Sequence, residues 1–233
     1  MLSLSPQLGS LLLLCLQTCS IGLWMLLVIL VAWCASYFTS ANSEVIRKIV
    51  HIGTGHVILI AWWLNIPSGV GVTASICACI VTLLSYKLPI IPGINSVGRK
   101  SLGTFFYAAS IGILITYFWH LNEPQYAVLG VMVMTWGDGL AALVGQRFGK
   151  HKYKIIGKEK SWEGSLAMCF TSWIVASLIL ITAQGNLWQI WIISVVVALI
   201  ATALESISLL GMDNLTVPLG TATIAFVLTK ILV

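Results

Sequence analysis

No charged side chain occurs before Glu44, and the run from Leu8 to Phe38 is apolar almost throughout. A small globular domain has no way to cover such a stretch. A bilayer does, because a span needs about 20 apolar residues at about 1.5 Å of rise each. The rest of the chain repeats the pattern. Only 8% of the 233 residues are charged, against about 25% in soluble domains, so no wet surface can be built around this much apolar side chain. The fold class that follows is all-α, a polytopic transmembrane helix bundle of about 7–8 spans joined by short loops. Residues 1–233 form one integral-membrane domain, with no internal repeat, low-complexity tail or separate soluble module.

Apolar runs and loop punctuation place the helices at 10–38, 47–64, 70–86, 103–119, 126–146, 164–183, 187–205 and 215–233. The breaks carry turn chemistry, as in Asn65-Ile-Pro-Ser-Gly69, Pro89-Ile-Ile-Pro-Gly93, Asn122-Glu-Pro124, Gln184-Gly-Asn186 and Gly211-Met-Asp-Asn214. A cleaved secretory leader is not expected, because the amino-terminal segment has no basic flank and its apolar run is too long. All six cysteines lie inside apolar stretches without metal-site spacing. They read as buried free thiols that pack as small hydrophobes.

Charge position carries more information than the net charge of +5, which here does not indicate nucleic-acid binding. Arg47 and Lys48 follow the first helix. Lys87, Arg99 and Lys100 follow the third. Arg147, Lys150, Lys152, Lys154, Lys158 and Lys160 follow the fifth. Eleven of the twelve basic residues thus fall in odd connections, with Lys230 left over. Odd connections share one membrane face, and the positive-inside rule makes it the cytoplasmic face or its organellar equivalent, with the amino terminus opposite. Of the seven acidic residues, only Glu123 belongs to the other face.

Five constellations lie at or near the basic face. Glu44, Arg47, Lys48 and His51 share one side of a helix, as a salt-bridged helix end or as a polar stripe that meets a ligand. His56 is the more structural of the two histidines. Arg99 and Lys100 open a helix, where free N–H groups suit phosphate. Asp138, flanked by Gly137 and Gly139, sits inside an apolar run at a cost of about 2.5–3.5 kcal/mol. That cost makes it the strongest candidate for chemistry, as a ligand of Mg²⁺ beside phosphate oxygens. Lys158, Lys160 and Ser161 stand at the mouth of a helix whose first turn holds Glu163. Ser161 can serve as its cap, and the cations suit a triphosphate or anionic lipid headgroups. Glu205 and the Asp213-Asn214 pair complete the set as a turn or as oxygen ligands. The basic loop is not a Walker A motif, because Glu159 follows Gly157-Lys158 where Ser or Thr is required.

The segments R-K-I-V-H, G-D-G-L-A-A-L-V-G-Q-R-F-G-K, G-K-E-K-S-W-E-G-S and M-D-N-L-T-V-P resemble, in order, those of the CTP-dependent polyprenol kinase family. That family includes dolichol and phytol kinases, and this chain looks most like the phytol/farnesol kinase branch. The resemblance covers residues 44 to 220. It implies transfer of the γ-phosphate of CTP to an isoprenoid alcohol such as phytol, in isoprenoid and tocopherol salvage. Asp138, His51 and Lys160 would be catalytic. Arg47, Lys48, Arg99, Lys100, Lys158, Lys160, Ser161 and Asn214 would bind nucleotide, and Asp138, Glu163 and Asp213 would bind Mg²⁺. The implied partners are membrane lipid, the alcohol and CTP. An integral-membrane cytidylyltransferase making a CDP-lipid shares part of this pattern, although its longer signature ending is not intact here. A non-enzymatic transporter would place polar groups near the midplane and serve both faces, which the one-sided charge does not favour.

Overall fold

The computed structural model describes residues 6–39, 42–86, 88 and 102–233. The chain separates into two compact units, Met1–Pro67 and Ser68–Val233.

The first unit holds α1 (Pro6–Phe38), α2 (Ser43–Gly55) and α3 (Val57–Trp63). At 33 residues, α1 is about 50 Å long, more than a span requires. The second helix begins four residues earlier than its apolar pattern suggests, because Asn42 caps it by accepting the Val45 N–H at 2.9 Å. Between α2 and α3 the hydrogen bonding tightens at His56, whose N–H donates to the Gly53 carbonyl at 3.2 Å. Gly53 lets α1 lie close, since a Cβ there would meet the Val28 methyls at 2.5 Å. Trp24 Nε1 donates to the Gly53 carbonyl at 2.8 Å, and Gln17 Nε2 donates to the Leu64 carbonyl at 2.7 Å.

The second unit holds α4 (Ser68–Ser85), α5 (Gly103–His120), α6 (Pro124–Phe148), α7 (Trp162–Gln184), α8 (Trp188–Ile207) and α9 (Asp213–Leu232). A two-stranded antiparallel hairpin, β1 (Lys152–Ile155) and β2 (Lys158–Ser161), joins α6 to α7. This hairpin is the one departure from an all-helical reading among the described residues. Its tip, Ile156 (φ +45°) and Gly157 (φ +73°), has the two positive φ angles of a tight hairpin turn.

The centre of this unit is α6, which packs against α5, α7, α8 and α9. Tyr126, Ala127, Val128, Leu129, Val131, Val133 and Met134 are fully buried. Glycines set the close approaches. A Cβ at Gly130 would strike the Pro218 carbonyl on α9, and one at Gly137 would meet Met168 Sδ at 2.6 Å and Ser172 Oγ at 2.9 Å on α7. Among the described residues, α1, α2 with α3, α4, α6, α7, α8 and α9 give seven stretches long and apolar enough to cross a membrane. The protein is therefore an all-α polytopic membrane protein, as the sequence indicates.

Candidate active site

The ionic groups of the second unit gather at one end of it. The sequence explains this locally: α6 runs into the basic hairpin, and the hairpin runs straight into α7. Ser161 ends β2 and caps α7, its Oγ accepting the Gly164 N–H at 3.2 Å. The Ser161 side chain is buried against Gly145 and Gly149 of the α6 end, and a Cβ on Gly145 would lie 3.1 Å from its Oγ. Ser161 thus fulfils its expected role as a cap, and its burial explains why small residues recur at 145, 149 and 164.

Cross-strand pairing puts Tyr153 opposite Lys160 and Lys154 opposite Glu159, and alternate residues of a strand face opposite sides. Lys152, Lys154 and Glu159 are exposed, with Lys152 Nζ 3.4 Å from Glu159 Oε1. On the other side, the Tyr153 hydroxyl lies 2.6 Å from Ser165 Oγ, and Lys160 reaches α8. There its ammonium forms an ion pair with Glu205 and also donates to the Glu205 main-chain carbonyl at 3.1 Å. Glu205 is buried in the last turn of α8, with a side chain only 8% exposed. The charges of Asp138 and Asp213 also act on Glu205. The ion pair thus joins β2 to α8, and the Asp138 charge on α6 and the Asp213 charge on α9 lie within electrostatic reach of it.

Asp138 lies on α6, seven residues from Gly145, or about 10 Å along the axis. One turn away, Thr135 meets the buried Tyr107 hydroxyl of α5 at 2.9 Å. Asp213 opens α9. Its N–H donates to Ser208 Oγ at 2.6 Å, and its Oδ1 accepts the Asn214 N–H at 3.1 Å. Asn214 Nδ2 donates to the Gly103 carbonyl at the start of α5, at 3.0 Å. Only the nitrogen can donate that bond, which leaves the oxygen as the other end of the amide. Asn214 Oδ1 is a buried acceptor with no hydrogen-bond partner.

Glu163 points elsewhere. Its Oε1 lies 2.7 Å from His151 Nδ1, and its carboxylate accepts the His151 main-chain N–H at 3.2 and 3.4 Å. It fastens the start of the hairpin to the first turn of α7. In the first unit, Glu44 pairs with Arg47 (Nε to Oε2, 2.9 Å), while Lys48 is buried and His51 half-buried on the same helix. Arg99 and Lys100 lie outside the described residues, as does the side chain of Lys158.

The site's donor chemistry suits a hard divalent cation. Such a cation takes one or two carboxylates and completes its shell with phosphate oxygens and water. Among the described residues, no three His, Cys, Asp or Glu side chains form a ready-made metal cage. The oxygen donors on offer are Asp138, Asp213 and the buried Asn214 Oδ1, in the unit whose Lys160 is held by Glu205. From the sequence, Glu205 stands among the groups near the basic face but is given no catalytic, nucleotide or metal role there. Its acidity at a helix end was visible, but its pairing with a lysine 45 positions away was not.

The other end of the unit is nearly neutral. Lys230 of α9 pairs there with Glu123 at the head of α6, and Gln184 Nε2 donates to the Tyr126 hydroxyl at 3.4 Å.

The sequence model described as the Cytidylyltransferase family matches residues 5–204. Among curated proteins, the chain is 50% identical over 199 residues to the phytol kinase of Synechocystis sp., covering 85% of each chain. It is 29% identical over 203 residues to phytol kinase 1, chloroplastic, of Arabidopsis thaliana, covering 77% of this chain and 65% of the relative. It is 28% identical over 212 residues to farnesol kinase, chloroplastic, of the same plant, covering 80% of this chain and 66% of the relative. No solved structure matches the chain.

Proposed function

The chain belongs to the Cytidylyltransferase family, on its phytol and farnesol kinase branch, and from that membership we propose a CTP-dependent kinase of an isoprenoid alcohol such as phytol. The reaction moves the γ-phosphoryl group of CTP onto the alcohol oxygen. The bond from the γ-phosphorus to the bridging oxygen breaks, a new phosphorus–oxygen bond forms at the alcohol, and CDP leaves. The observation that carries this reading is the Lys160–Glu205 ion pair at the end of the bundle where the basic hairpin meets α8, within electrostatic reach of the Asp138 and Asp213 charges. Phosphoryl transfer is catalysed largely by positioning and charge neutralisation, and these groups supply both.

Asp138 and Asp213, with Asn214 Oδ1 beside them, would hold Mg²⁺, and Glu163 would come second because His151 already engages it. When bound, the cation neutralises charge on the transferring phosphate. An ammonium has three N–H donors. Lys160 uses two on Glu205, and the third suits a phosphate oxygen. Arg47, Lys48, Arg99, Lys100, Lys158 and Ser161 are the further candidates for nucleotide contact. The hydroxyl proton goes to His51 or to a carboxylate, and the activity of a His51→Asn variant separates these two. Taken together, residues 1–233 act as one integral-membrane kinase domain. The charge pattern supports an ionic end on the cytoplasmic or stromal side and an amino terminus opposite.

The family also names cytidylyl transfer, and labelled CTP separates the two reactions. Purified protein in proteoliposomes is given phytol and CTP labelled in both the γ-phosphate and the cytidine. The kinase places phosphate label in the lipid without cytidine. Cytidine label in the lipid, or no labelled lipid with any prenol, would overturn the reading.

A further inference from the structure

We propose that the groove between α7 and α8 is the subsite for the isoprenoid chain, and that Trp191 sets how long a chain it takes; this rests on the kinase reading above. The groove is apolar along its length. Leu166, Cys169, Phe170 and Trp173 line it from α7, and Trp191, Val195 and Ala198 line it from α8. The α7 residues follow i, i+3, i+4, i+7, and the α8 residues follow i, i+4, i+7, so each set is one helix face. The α8 face does not stop at Ala198. Continued by the same period it passes Thr202 and reaches Glu205, the residue that holds Lys160. On α7, Leu166 stands one turn beyond Trp162 and the Ser161 cap. The apolar groove thus lies on the α8 face that leads to the ionic pair, the profile of a long-chain alcohol with its hydroxyl at the phosphate site.

Its far end is bounded by aromatic rings. Phe170, Trp173 and Trp191 make a ladder across the two helices, with both successive centroid separations 6.0 Å. From Glu205 to Trp191 is fourteen residues of helix, about 21 Å. A fully extended chain advances about 1.2 Å per bond, so roughly 17 bonds fit between head and floor. Four isoprene units supply sixteen main-chain carbons. The groove thus matches a diterpenoid alcohol, whereas three units stop short of Trp191 and five overrun it. Unbranched acyl chains of bulk lipid are the competing occupant.

Two measurements test this with the full-length protein in nanodiscs. In the first, KM is measured for CTP and for prenols of three, four and five isoprene units. Val195→Trp, which fills the groove from a lipid-facing position, should raise KM for the four-unit alcohol at least tenfold and leave KM for CTP within twofold. Trp191→Ala should move the preference toward five units by at least threefold. Unchanged alcohol KM in Val195→Trp together with an unchanged chain-length profile in Trp191→Ala would overturn the proposal. In the second, a four-unit alcohol with a diazirine at its chain end is photolysed on the protein without nucleotide. Labelling should fall on the Trp173–Trp191 region and be competed by phytol but not by phospholipid. Labelling spread over all lipid-facing helices, or competed equally by phospholipid, would also overturn it. This readout needs no turnover, so it judges the groove even if no prenol is phosphorylated, an outcome that would sink the kinase reading instead.

Discussion

The Lys160–Glu205 pair should respond unequally to loss of its two partners. Removing the ammonium with Lys160→Met strands a carboxylate whose side chain is 8% exposed and which also feels Asp138 and Asp213. Breaking a buried pair in this way costs about 3–5 kcal/mol. The lower end applies here, because the Lys160 side chain is 21% exposed. Removing the carboxylate charge with Glu205→Gln leaves a lysine that keeps its bond to the main-chain carbonyl at position 205 and can extend to water, for about 1 kcal/mol. The double variant should therefore be more stable than Lys160→Met alone. Thermal unfolding midpoints in one detergent provide the assay, at roughly 2–4 °C per kcal/mol for a chain of this size. The expected order is wild type, Glu205→Gln, the double variant and then Lys160→Met, with about 6–12 °C between the extremes. If Glu205→Gln is the costlier single change, or if the two losses simply add, Glu205 is not a buried charge held by Lys160.

Further outcomes are expected at the carboxylate, the hairpin and the glycines. Asp138→Asn should abolish lipid phosphorylation with its unfolding midpoint within a few degrees of wild type, and EDTA should abolish wild-type turnover reversibly; near-normal turnover of Asp138→Asn would refute the metal role. Ile156→Gly should stabilise the hairpin by roughly 1 kcal/mol, because a β-branched residue pays that much for a left-handed backbone, and hydrogen exchange of the Lys152–Ser161 amides should slow accordingly. Gly130→Ala should cost about 1–3 kcal/mol, because the added methyl meets the Pro218 carbonyl rather than a yielding side chain. Gly69→Ala, with open space around it, should be neutral or slightly stabilising in the same unfolding assay.

The helices were legible because apolar length and punctuation are local properties. Most boundaries moved by one or two residues; the larger shifts are at the start of α1, which begins at Pro6, at the Asn42 cap, and at His56, where no breaker marks the change. The hairpin was harder to read. Lys-Tyr-Lys-Ile does alternate polar with apolar residues, the period of a strand, but its charge reads first as a solvated loop. Its Ile-Gly tip also lacks the Asn or Asp that usually announces such a turn. Asp138 was legible because a carboxylate inside an apolar run needs a reason. Its electrostatic link to Glu205 was not, since that arises only through the packing of α8 on α6. Ser161 and Glu163 show the converse. Their residue types suit phosphate and metal, and the structure adds a local task to each, a helix cap for Ser161 and a bond to His151 for Glu163.

Helix α6 is wrapped on all sides over its first half, tied to α9 by the Gly130–Pro218 contact midway and by Glu123–Lys230 at the neutral end. Among the described residues, such a mast leaves no open face along the first half of α6. A greasy molecule consequently meets the outer flanks of the bundle, where large apolar side chains lie open, and not the sides of this mast.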